Sequence, residues 1–236
     1  MIELATQETG KVKKRAHIAD RRELPAYAIS EASHYLTIPV STLRYWAAGR
    51  RGESSPLIVA AQSSPLVLSF RNLVELHVLG AMRREFQVTL PKVRSALDFL
   101  KRKFRVQNPL VTYEFETDGI SLFVERYGHL INASLEGQEA MREVLQSSLK
   151  RIERDTSGIP IKLYPYTRND WRASPSLVVI DPELSFGRPV IAGTGLATEV
   201  IADRYKAGES IRELAKDYGR SAEEVEEAIR CELEAA

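Results

Sequence analysis

Cysteine and long apolar runs are both scarce in this 236-residue chain, and each shortage excludes a class of protein. A single cysteine, Cys231, cannot form an internal disulfide, and it cannot build a zinc site out of several thiolates. No segment approaches the roughly 20 consecutive apolar residues that a membrane-spanning helix needs. The polar and basic residues 1–20 lack the apolar core of an export signal. We therefore expect a cytoplasmic protein of two or three small domains that makes no membrane contact.

Signatures of catalysis are scarce as well. The four histidines are scattered, and no two of them have the helical spacing of metal ligands; they are His17, His34, His77 and His129. No serine lies in a nucleophile-elbow motif. The glutamates around Cys231 are expected to raise the pKa of its thiol, which argues against a nucleophile. The sequence predicts a protein that is not an enzyme and that uses neither a metal nor a cofactor.

Charge is divided unequally along the chain, although the net charge is only +1. Residues 1–108 contain 18 Lys and Arg against 9 Asp and Glu, whereas residues 109–236 contain 15 against 23. A basic half favours an anionic partner such as nucleic acid, because neutralising phosphates releases counterions. Two solvated faces of opposite sign are the alternative interpretation.

The first 70 residues show an arm, a pair of short helices and a hairpin. Residues 1–24 have no hydrophobic periodicity and are predicted to form a flexible basic arm. Two short helices are predicted within residues 30–49, separated by the tight break at Thr37, Ile38 and Pro39. The apolar runs 57–61 and 66–70 flank a turn, so they predict a β-hairpin, or wing.

Helices and then strands are predicted in the next 80 residues. One helix covers residues 70–86 after a cap at Ser69, and another covers residues 90–104 after a cap at Thr89. The second helix has an apolar stripe of Val93, Ala96, Leu97, Leu100 and Phe104. Residues 110–133 alternate as strands do. A further amphipathic helix spans residues 141–152, and residues 169–176 are predicted to form a linker.

The short helix that ends in Trp46 carries the most information in the chain. At 100° per residue, Leu43 and Trp46 lie on one side of this helix, while Ser41, Arg44 and Tyr45 lie on the other. Leu36 and Ile38 complete the small core with Leu43 and Trp46. The outward hydroxyls and guanidinium are donors that phosphates and base edges accept, so this pattern is typical of a recognition helix.

The sequence Ser41-Thr42-Leu43-Arg44-Tyr45-Trp46 resembles the recognition helix of the MerR-type winged helix-turn-helix family. The resemblance implies that Arg44 and Tyr45 contact the DNA backbone, with Ser41 and Thr42 nearest the groove. Two features depart from the family: Pro39 replaces the usual capping serine, and residues 53–70 contain no Lys or Arg. The further basic contacts are therefore expected from Arg50, Arg51, Arg71 and Arg83. A helix-turn-helix that serves only as a packing unit is the alternative.

The C-terminal segment begins with an apolar strand at residues 177–180. The glycines at 187, 193 and 195 are predicted to form tight turns, because no Gly-Lys-Ser/Thr of a phosphate-binding loop follows them. Thr198 is predicted to cap a first helix that ends at Gly208. Capping-box spacings start two more helices; the pairs are Ser210 with Glu213 and Ser221 with Glu224, separated by Gly219.

Residues 181–196 resemble a family of unknown function that joins two short strands to a three-helix unit. The shared features are Asp181-Pro182-Glu183, then Gly187-Arg188-Pro189, then the turn at Gly193 and Thr194; many members have arginine where this chain has Gly195. The last helix is rich in glutamate and would repel phosphate, so we expect it to bind protein. The candidate contacts to a toxin or to a second subunit are Arg188, Thr194 and Glu199.

We expect an α+β, mostly α, fold of four parts. They are a basic arm (1–24), a MerR-like winged helix-turn-helix domain (25–106), a small mixed α/β middle region (107–172) and a two-strand, three-helix C-terminal domain (173–236). A chain with these parts resembles VapB-type antitoxins of toxin–antitoxin systems. The resemblance implies a homodimer that neutralises a PIN-like ribonuclease toxin and represses its own operon by binding operator DNA.

Two alternatives remain open. The chain could be a stand-alone MerR-like transcriptional regulator whose acidic half senses a ligand or recruits polymerase. It could also be a dimeric adaptor with no affinity for DNA. If the chain is an antitoxin, its basic residues 11–22 could occupy the acidic metal site of the nuclease, as an alternative to toxin binding by the C-terminal part.

Overall fold

A computed structural model describes residues 20–49, 55–86 and 89–233. Within these residues the chain is mixed α+β and mostly helical, which confirms the predicted class. The helices are Ile29–Leu36 (α1), Val40–Ala48 (α2), Phe70–Glu85 (α3), Leu90–Phe104 (α4), Ile120–Ile131 (α5), Leu135–Leu149 (α6), Thr198–Lys206 (α7), Ile211–Tyr218 (α8) and Ala222–Glu232 (α9). The strands are Tyr27–Ala28 (β1), Gln62–Ser63 (β2), Leu66–Leu68 (β3), Ile152–Arg154 (β4), Pro160–Leu163 (β5), Val178–Ile180 (β6) and Pro189–Ile191 (β7).

The two short N-terminal helices form as predicted. Thr37 adopts a left-handed conformation (φ 53°) that ends α1, and Pro39 precedes the first residue of α2. The Ser33 hydroxyl donates a hydrogen bond of 2.6 Å to the Ile38 carbonyl and so closes the break between the helices. The predicted core is also confirmed, because Leu36, Ile38, Leu43 and Trp46 are all buried.

The hairpin is shorter than predicted and is displaced along the chain. β3 pairs antiparallel with both β2 and β1, in the order β1-β3-β2. The strand predicted over residues 57–61 is wrong. Leu57 and Ile58 are buried, and both of their N–H groups donate to the Trp46 carbonyl at the end of α2 instead of to a strand. Tertiary burial therefore explains Leu57 and Ile58 without a strand, whereas Val59 is 67% exposed.

Local capping signals predict the start of α3 well and the start of α4 less well. The Ser69 hydroxyl accepts from the Asn72 N–H at 3.2 Å, so Ser69 caps α3. Thr89 is the N-cap of α4, but its side chain makes no capping bond. The stripe of α4 is buried as predicted at Val93, Ala96, Leu97 and Leu100.

The middle region is helical, and the strands predicted over residues 110–133 are wrong. Pro109–Val111 is a single tight turn, Phe115–Gly119 is a wide π-type turn, and α5 follows without interruption. Phe123 and Tyr127 are one helical turn apart and stack with ring centroids 5.9 Å apart inside the core. Burial between α4 and α6 thus selects the helical period over the weak alternation of residues 111–115.

The second sheet joins the middle region to the C-terminal segment. Its strands are antiparallel in the order β4-β5-β6-β7. β4 and β5 precede residue 172 and β6 and β7 follow it, so the sheet extends across the predicted boundary between these two parts. Residues 169–176 contain a short turn at Trp171–Ala173, and the Trp171 indole N–H donates to the Glu85 carboxylate at 2.6 Å. This segment therefore packs on α3, although we predicted a linker.

The three C-terminal helices are present, with one correction to their caps. Ser210 with Glu213 and Ser221 with Glu224 both form complete capping boxes, which confirms that prediction. Thr198 does not cap α7. It is the first residue of that helix, and its buried hydroxyl donates to the Pro189 carbonyl at 3.1 Å, because β7 passes beside the helix start.

The end of the predicted arm is held in place. The Arg22 guanidinium donates to the Asp155 carboxylate at 3.1 Å, and the Arg22 carbonyl accepts from the Arg71 N–H. Residues 20–24 are therefore held to the domain by hydrogen bonds of Arg22, which corrects the prediction of flexibility for that part of residues 1–24. The rest of the arm, including Lys11, lies outside the described residues.

Candidate nucleic-acid interface and partner-binding surface

Helix α2 has one buried face and one that opens to solvent. Leu43, Trp46 and Ala47 are buried against α1 and α3, as the helical period requires. On the other side Ser41 and Arg44 are exposed, and Thr42 and Tyr45 are half-buried. The structure thus brings the four residues predicted from the recognition-helix pattern onto one surface.

These side chains line an open groove that extends beyond α2. Arg83 near the end of α3, Leu66 of β3 and Leu90 of α4 complete its wall. Arg44 and Arg83 are both exposed, and no carboxylate of the described residues lies within 4.0 Å of either guanidinium. The groove therefore presents two cations whose charge is not neutralised by a described neighbour, next to hydroxyl donors. Such a surface can bind an anionic backbone.

A half-buried arginine, Arg84, holds the helix pair against the middle region. The Arg84 guanidinium donates to the Leu36 carbonyl at the C-terminal end of α1 and lies 4.8 Å from the centre of the Tyr166 ring. Burial lowers the pKa of Arg84 from its ordinary value. A cation at a helix C-terminus is favourable because the last carbonyls point towards it. The α1–α2 turn is consequently held at a defined position.

A buried polar network holds the hairpin and residues 59–61 against α3. The Asn72 side chain donates to the Val59 carbonyl at 2.9 Å and accepts from the N–H groups of Ala61 (3.0 Å) and Ser69 (3.1 Å). It also faces Glu75, whose carboxylate accepts from Asn108 at 3.0 Å. Burial raises the pKa of Glu75 to about 7, although both amides favour the charged form. This network supports the groove wall at Leu66.

The remaining residues predicted to bind DNA are less available or lie outside the description. Arg71 forms an ion pair of 2.6 Å with Glu23, so a phosphate would have to compete with that carboxylate. Arg50 and Arg51 lie outside the described residues. Pairing with Glu23 could not be foreseen, because the sequence pattern assigned residues 20–24 to a free arm.

The acidic C-terminal helix lies against α1. His34 of α1 is 4.0 Å from the Glu232 carboxylate of α9. Glu227 of α9 is fully buried and accepts from Arg168 at 2.7 Å. On the same helix Glu223 is exposed and Glu226 is half-buried. Negative charge thus borders the helix pair on the α1 side.

A second surface is formed by the turn between β6 and β7 and by the start of α7. Arg188 and Glu199 are brought together as an ion pair in which both side chains are about half exposed. The Thr194 hydroxyl donates to the Ile191 carbonyl at 2.8 Å and accepts from the Leu196 N–H at 3.1 Å, so its bonds are used within the turn. Of the three predicted contacts, Arg188 and Glu199 therefore stay accessible to solvent, but they pair with each other, so a partner would have to compete with that ion pair.

Sequence reasoning missed a prominent residue of this second surface. The Phe186 side chain is 93% exposed and lies two residues before Arg188. Ser185 and Phe186 both have positive φ angles, of 45° and 57°. No hydrophobic period marks Phe186 in the sequence. A phenylalanine directly before Gly187, in a segment too short for a regular element, is the only signal there.

Two titratable residues that the sequence singled out are buried. His77 stacks on Tyr166 with centroids 5.0 Å apart, and burial lowers the pKa of its imidazole to about 3. Burial is also the main reason that the pKa of the Cys231 thiol is raised, and the charge of Glu232 comes second. The expected direction for Cys231 is confirmed, but the cause we gave, neighbouring glutamates, is the smaller one.

Across residues 20–49, 55–86 and 89–233, no group of three or more His, Cys, Asp or Glu side chains is arranged to hold a metal ion. Among the same residues, none of the helices combines the length and apolar character needed to cross a membrane.

Two kinds of similarity to known sequences accompany this geometry. Residues 178–230, from β6 into α9, match a family described as "Protein of unknown function (DUF433)". A Mycobacterium tuberculosis protein named "Putative antitoxin VapB45" is 29% identical over 237 residues, which cover 89% of this chain and 94% of that protein. "Uncharacterized protein Rv2308" of the same organism is 26% identical over 225 residues, covering 86% of this chain and 88% of that protein.

The architecture also occurs in a solved structure. The crystal structure of Rv2018 from Mycobacterium tuberculosis superposes with a TM-score of 0.67 at 25% sequence identity. The match covers 89% of this chain and 99% of that chain. The chain therefore shares its fold with Rv2018 over nearly the whole length of that protein.

Proposed function

We propose that this chain is an antitoxin that binds a toxin protein with its C-terminal half and operator DNA with α2. The proposed antitoxin role is supported by a similarity that extends over most of both chains to a protein named as a putative antitoxin. The DNA role is supported by the geometry around α2. The proposed domain is a MerR-like winged helix-turn-helix, with β2 and β3 as a short wing beside α2.

One observation carries the DNA-binding proposal. Arg44 is exposed on the outer face of α2, faces the same groove as Arg83, and has no described carboxylate close enough to neutralise it. Phosphate contacts from such side chains position a recognition helix, and neighbouring hydroxyls such as those of Ser41 and Thr42 reach the groove. Glutamates of α9 border α1, so we place the DNA on the α2 side.

The proposal for the partner rests on charge and on the second surface. Residues 177–233 contain 12 Asp and Glu against 7 Lys and Arg. An acidic protein surface repels DNA and attracts a positively charged protein. A ribonuclease toxin, which we propose to be PIN-like, must bind RNA phosphates and therefore carries such a surface.

The remaining features of the proposal concern assembly and regulation. The chain acts as a homodimer that places two copies of α2 one helical turn apart on DNA and so represses its own operon. It works in the cytoplasm, without catalysis and without a cofactor. Arg71 contributes to phosphate binding only when DNA displaces Glu23 from it.

The decisive experiment is co-expression of the chain with the neighbouring open reading frame. We expect a stable complex, relief of toxicity, and a salt-dependent mobility shift on the promoter of the pair. A promoter shift without any complex would instead favour a stand-alone MerR-like regulator. A complex without a shift up to micromolar protein at low salt would contradict the assignment of α2.

A further inference from the structure

The turn between β6 and β7 displays an aromatic ring that the fold does not use. Phe186 is 93% exposed, so its ring contributes almost nothing to the hydrophobic core. Exposed aromatic rings are common as isolated surface residues. The backbone that carries this ring is not ordinary, however, and it provides a second observation.

Three successive residues of this turn are left-handed. The φ angles are 45° at Ser185, 57° at Phe186 and 79° at Gly187. Residues with a Cβ atom disfavour this region, and such strained positions persist only where the surroundings enforce them. Asparagine or glycine would fit position 186 with less strain. Neither burial nor backbone preference therefore accounts for phenylalanine at this position.

The turn is also held rigidly. The buried hydroxyl of Tyr27 donates to the Gly187 carbonyl at 2.9 Å, across 160 residues of sequence. A Cβ atom on Gly187 would lie only 2.3 Å from that hydroxyl oxygen, so the close approach requires glycine. On the other side, the Ser185 hydroxyl donates to the Gly195 carbonyl at 3.3 Å. Bonds on both sides thus fix the backbone from which the ring projects before any partner binds.

The surroundings of the ring match those of a binding hot spot. Close to it in the chain, Leu184 is 37% exposed, and Glu183 and Arg188 form exposed ion pairs with Arg21 and Glu199. Protein interfaces concentrate their affinity in a few aromatic residues that are surrounded by such polar contacts. A turn whose backbone is already held loses little backbone conformational entropy on binding.

We propose that Phe186 is the main contact through which this chain holds its toxin, with the ring inserted into an apolar pocket on the positively charged face of that ribonuclease. This inference rests on the proposed function. Charge complementarity favours a positively charged toxin as the partner, because residues 177–233, which include the turn, have an excess of five acidic residues over basic ones. Arg188 and Glu199 border the ring and set its orientation on the partner.

The test measures toxin affinity and thermal stability for two matched variants. Phe186→Asn removes the ring and leaves a residue that tolerates the left-handed backbone. Leu135→Asn changes another strongly exposed apolar side chain, 83% exposed, at the start of α6. The toxin is the purified product of the neighbouring gene, and its dissociation constant is measured by titration calorimetry.

We expect Phe186→Asn to weaken toxin binding by at least tenfold while the melting temperature stays the same or rises. Leu135→Asn should change neither quantity. Phe186→Tyr keeps the ring and should bind within a few-fold of the unmodified chain. This third variant separates loss of the ring from loss of the fold if Phe186→Asn melts early.

The other outcomes distinguish the two levels of the proposal. If the unmodified chain does not bind the neighbouring gene product, the antitoxin function itself fails. If it binds and Phe186→Asn binds equally well, only the inference about Phe186 is overturned. If Phe186→Asn converts a dimer into a monomer and leaves toxin affinity unchanged, the ring serves a second copy of this chain, which also overturns the inference.

Discussion

The groove beside α2 and the surface of α7–α9 both contain arginine, but the two surfaces differ in how many of these arginines pair with a carboxylate. Arg44 and Arg83 have no described carboxylate within 4.0 Å. In the C-terminal region most arginines are paired; the pairs are Arg188–Glu199, Arg204–Glu209, Arg220–Glu224 and Arg230–Glu226. Residue type alone therefore does not identify a nucleic-acid surface. The carboxylates within reach of each arginine decide its availability.

The two regions are also made rigid by different means. Beside α2, a buried network of Asn72, Glu75 and Asn108 holds the hairpin through side chains. In the C-terminal region, serines at the starts of α8 and α9 hold the helices through local capping boxes. The side-chain network depends on residues far apart in sequence, whereas each capping box depends on two residues three positions apart. Mutations should separate the two regions accordingly.

The largest effect is expected from Asn72→Ala, which would leave three backbone groups without their partner. The groups are the Val59 carbonyl and the N–H groups of Ala61 and Ser69. We expect a loss of about 2–4 kcal/mol in the free energy of unfolding, measured in urea. Promoter binding should weaken as well, because the hairpin borders the groove. Asn169→Ala, at an exposed position, is the control, and equal stability of the two variants would contradict the role of the network.

A pH dependence of similar size is expected from Glu75. Its pKa is about 7 in the fold and 4.5 ordinarily, so the folded state holds the proton more tightly. The stabilising contribution is therefore fully present below pH 4.5 and is lost as the pH rises towards 7. With ~1.4 kcal/mol per pKa unit, we expect a loss of about 3 kcal/mol across this range. Glu75→Gln should remove this part of the pH dependence, measured as the difference in the free energy of unfolding in urea between pH 5 and pH 8. An equal difference in the variant and in the unmodified protein would refute the role of Glu75.

Arg44→Ala tests whether the unpaired arginine of the groove binds DNA. Loss of a phosphate or base contact costs about 1–3 kcal/mol, so promoter affinity should fall roughly 5- to 150-fold. In a plot of the logarithm of the binding constant against the logarithm of the salt concentration, the magnitude of the slope should decrease by about 1. Stability and toxin binding should not change, because Arg44 is exposed.

Arg212→Ala is the matched control for Arg44→Ala. Arg212 is exposed on α8 in the acidic region, and no described carboxylate lies within 4.0 Å of it. The same loss of one charge should leave promoter affinity nearly unchanged. If both variants weaken DNA binding equally, net charge rather than the α2 surface controls binding.

The smallest effect is expected from Ser221→Ala, which removes the cap of α9. The serine hydroxyl accepts from the Glu224 N–H at 3.1 Å. Loss of such a cap costs about 1 kcal/mol. Hydrogen exchange should therefore accelerate in α9 while α2 stays protected. Ser176→Ala, at an exposed serine that caps no helix, is the control; faster exchange in α2 would show that the two regions are not separable.

Features that depend on neighbours in sequence could be predicted before the structure. The helix pair at α1 and α2 follows from the break at Thr37 and Pro39 and from the spacing of Leu43 and Trp46. The capping boxes at Ser210 and Ser221 follow from a glutamate three residues later. Errors arose where two periods competed. Residues 110–133 are helical because Phe123 and Tyr127 stack in the core, which short-range alternation does not reveal.

The sequence by itself determined the opposite charges of the two halves, the helix pair and the outward side of α2, because each depends on composition or on spacings of three to four residues. Only the tertiary structure decided which of those charges are free. Arg71 forms an ion pair with Glu23, and α9 brings glutamates against α1. The tertiary structure also decided the exposure of Phe186, because Tyr27 hydrogen-bonds the turn that carries it. These contacts join residues 48 to 198 positions apart, and folding brings such pairs together for the packing of the whole chain, which no local pattern records.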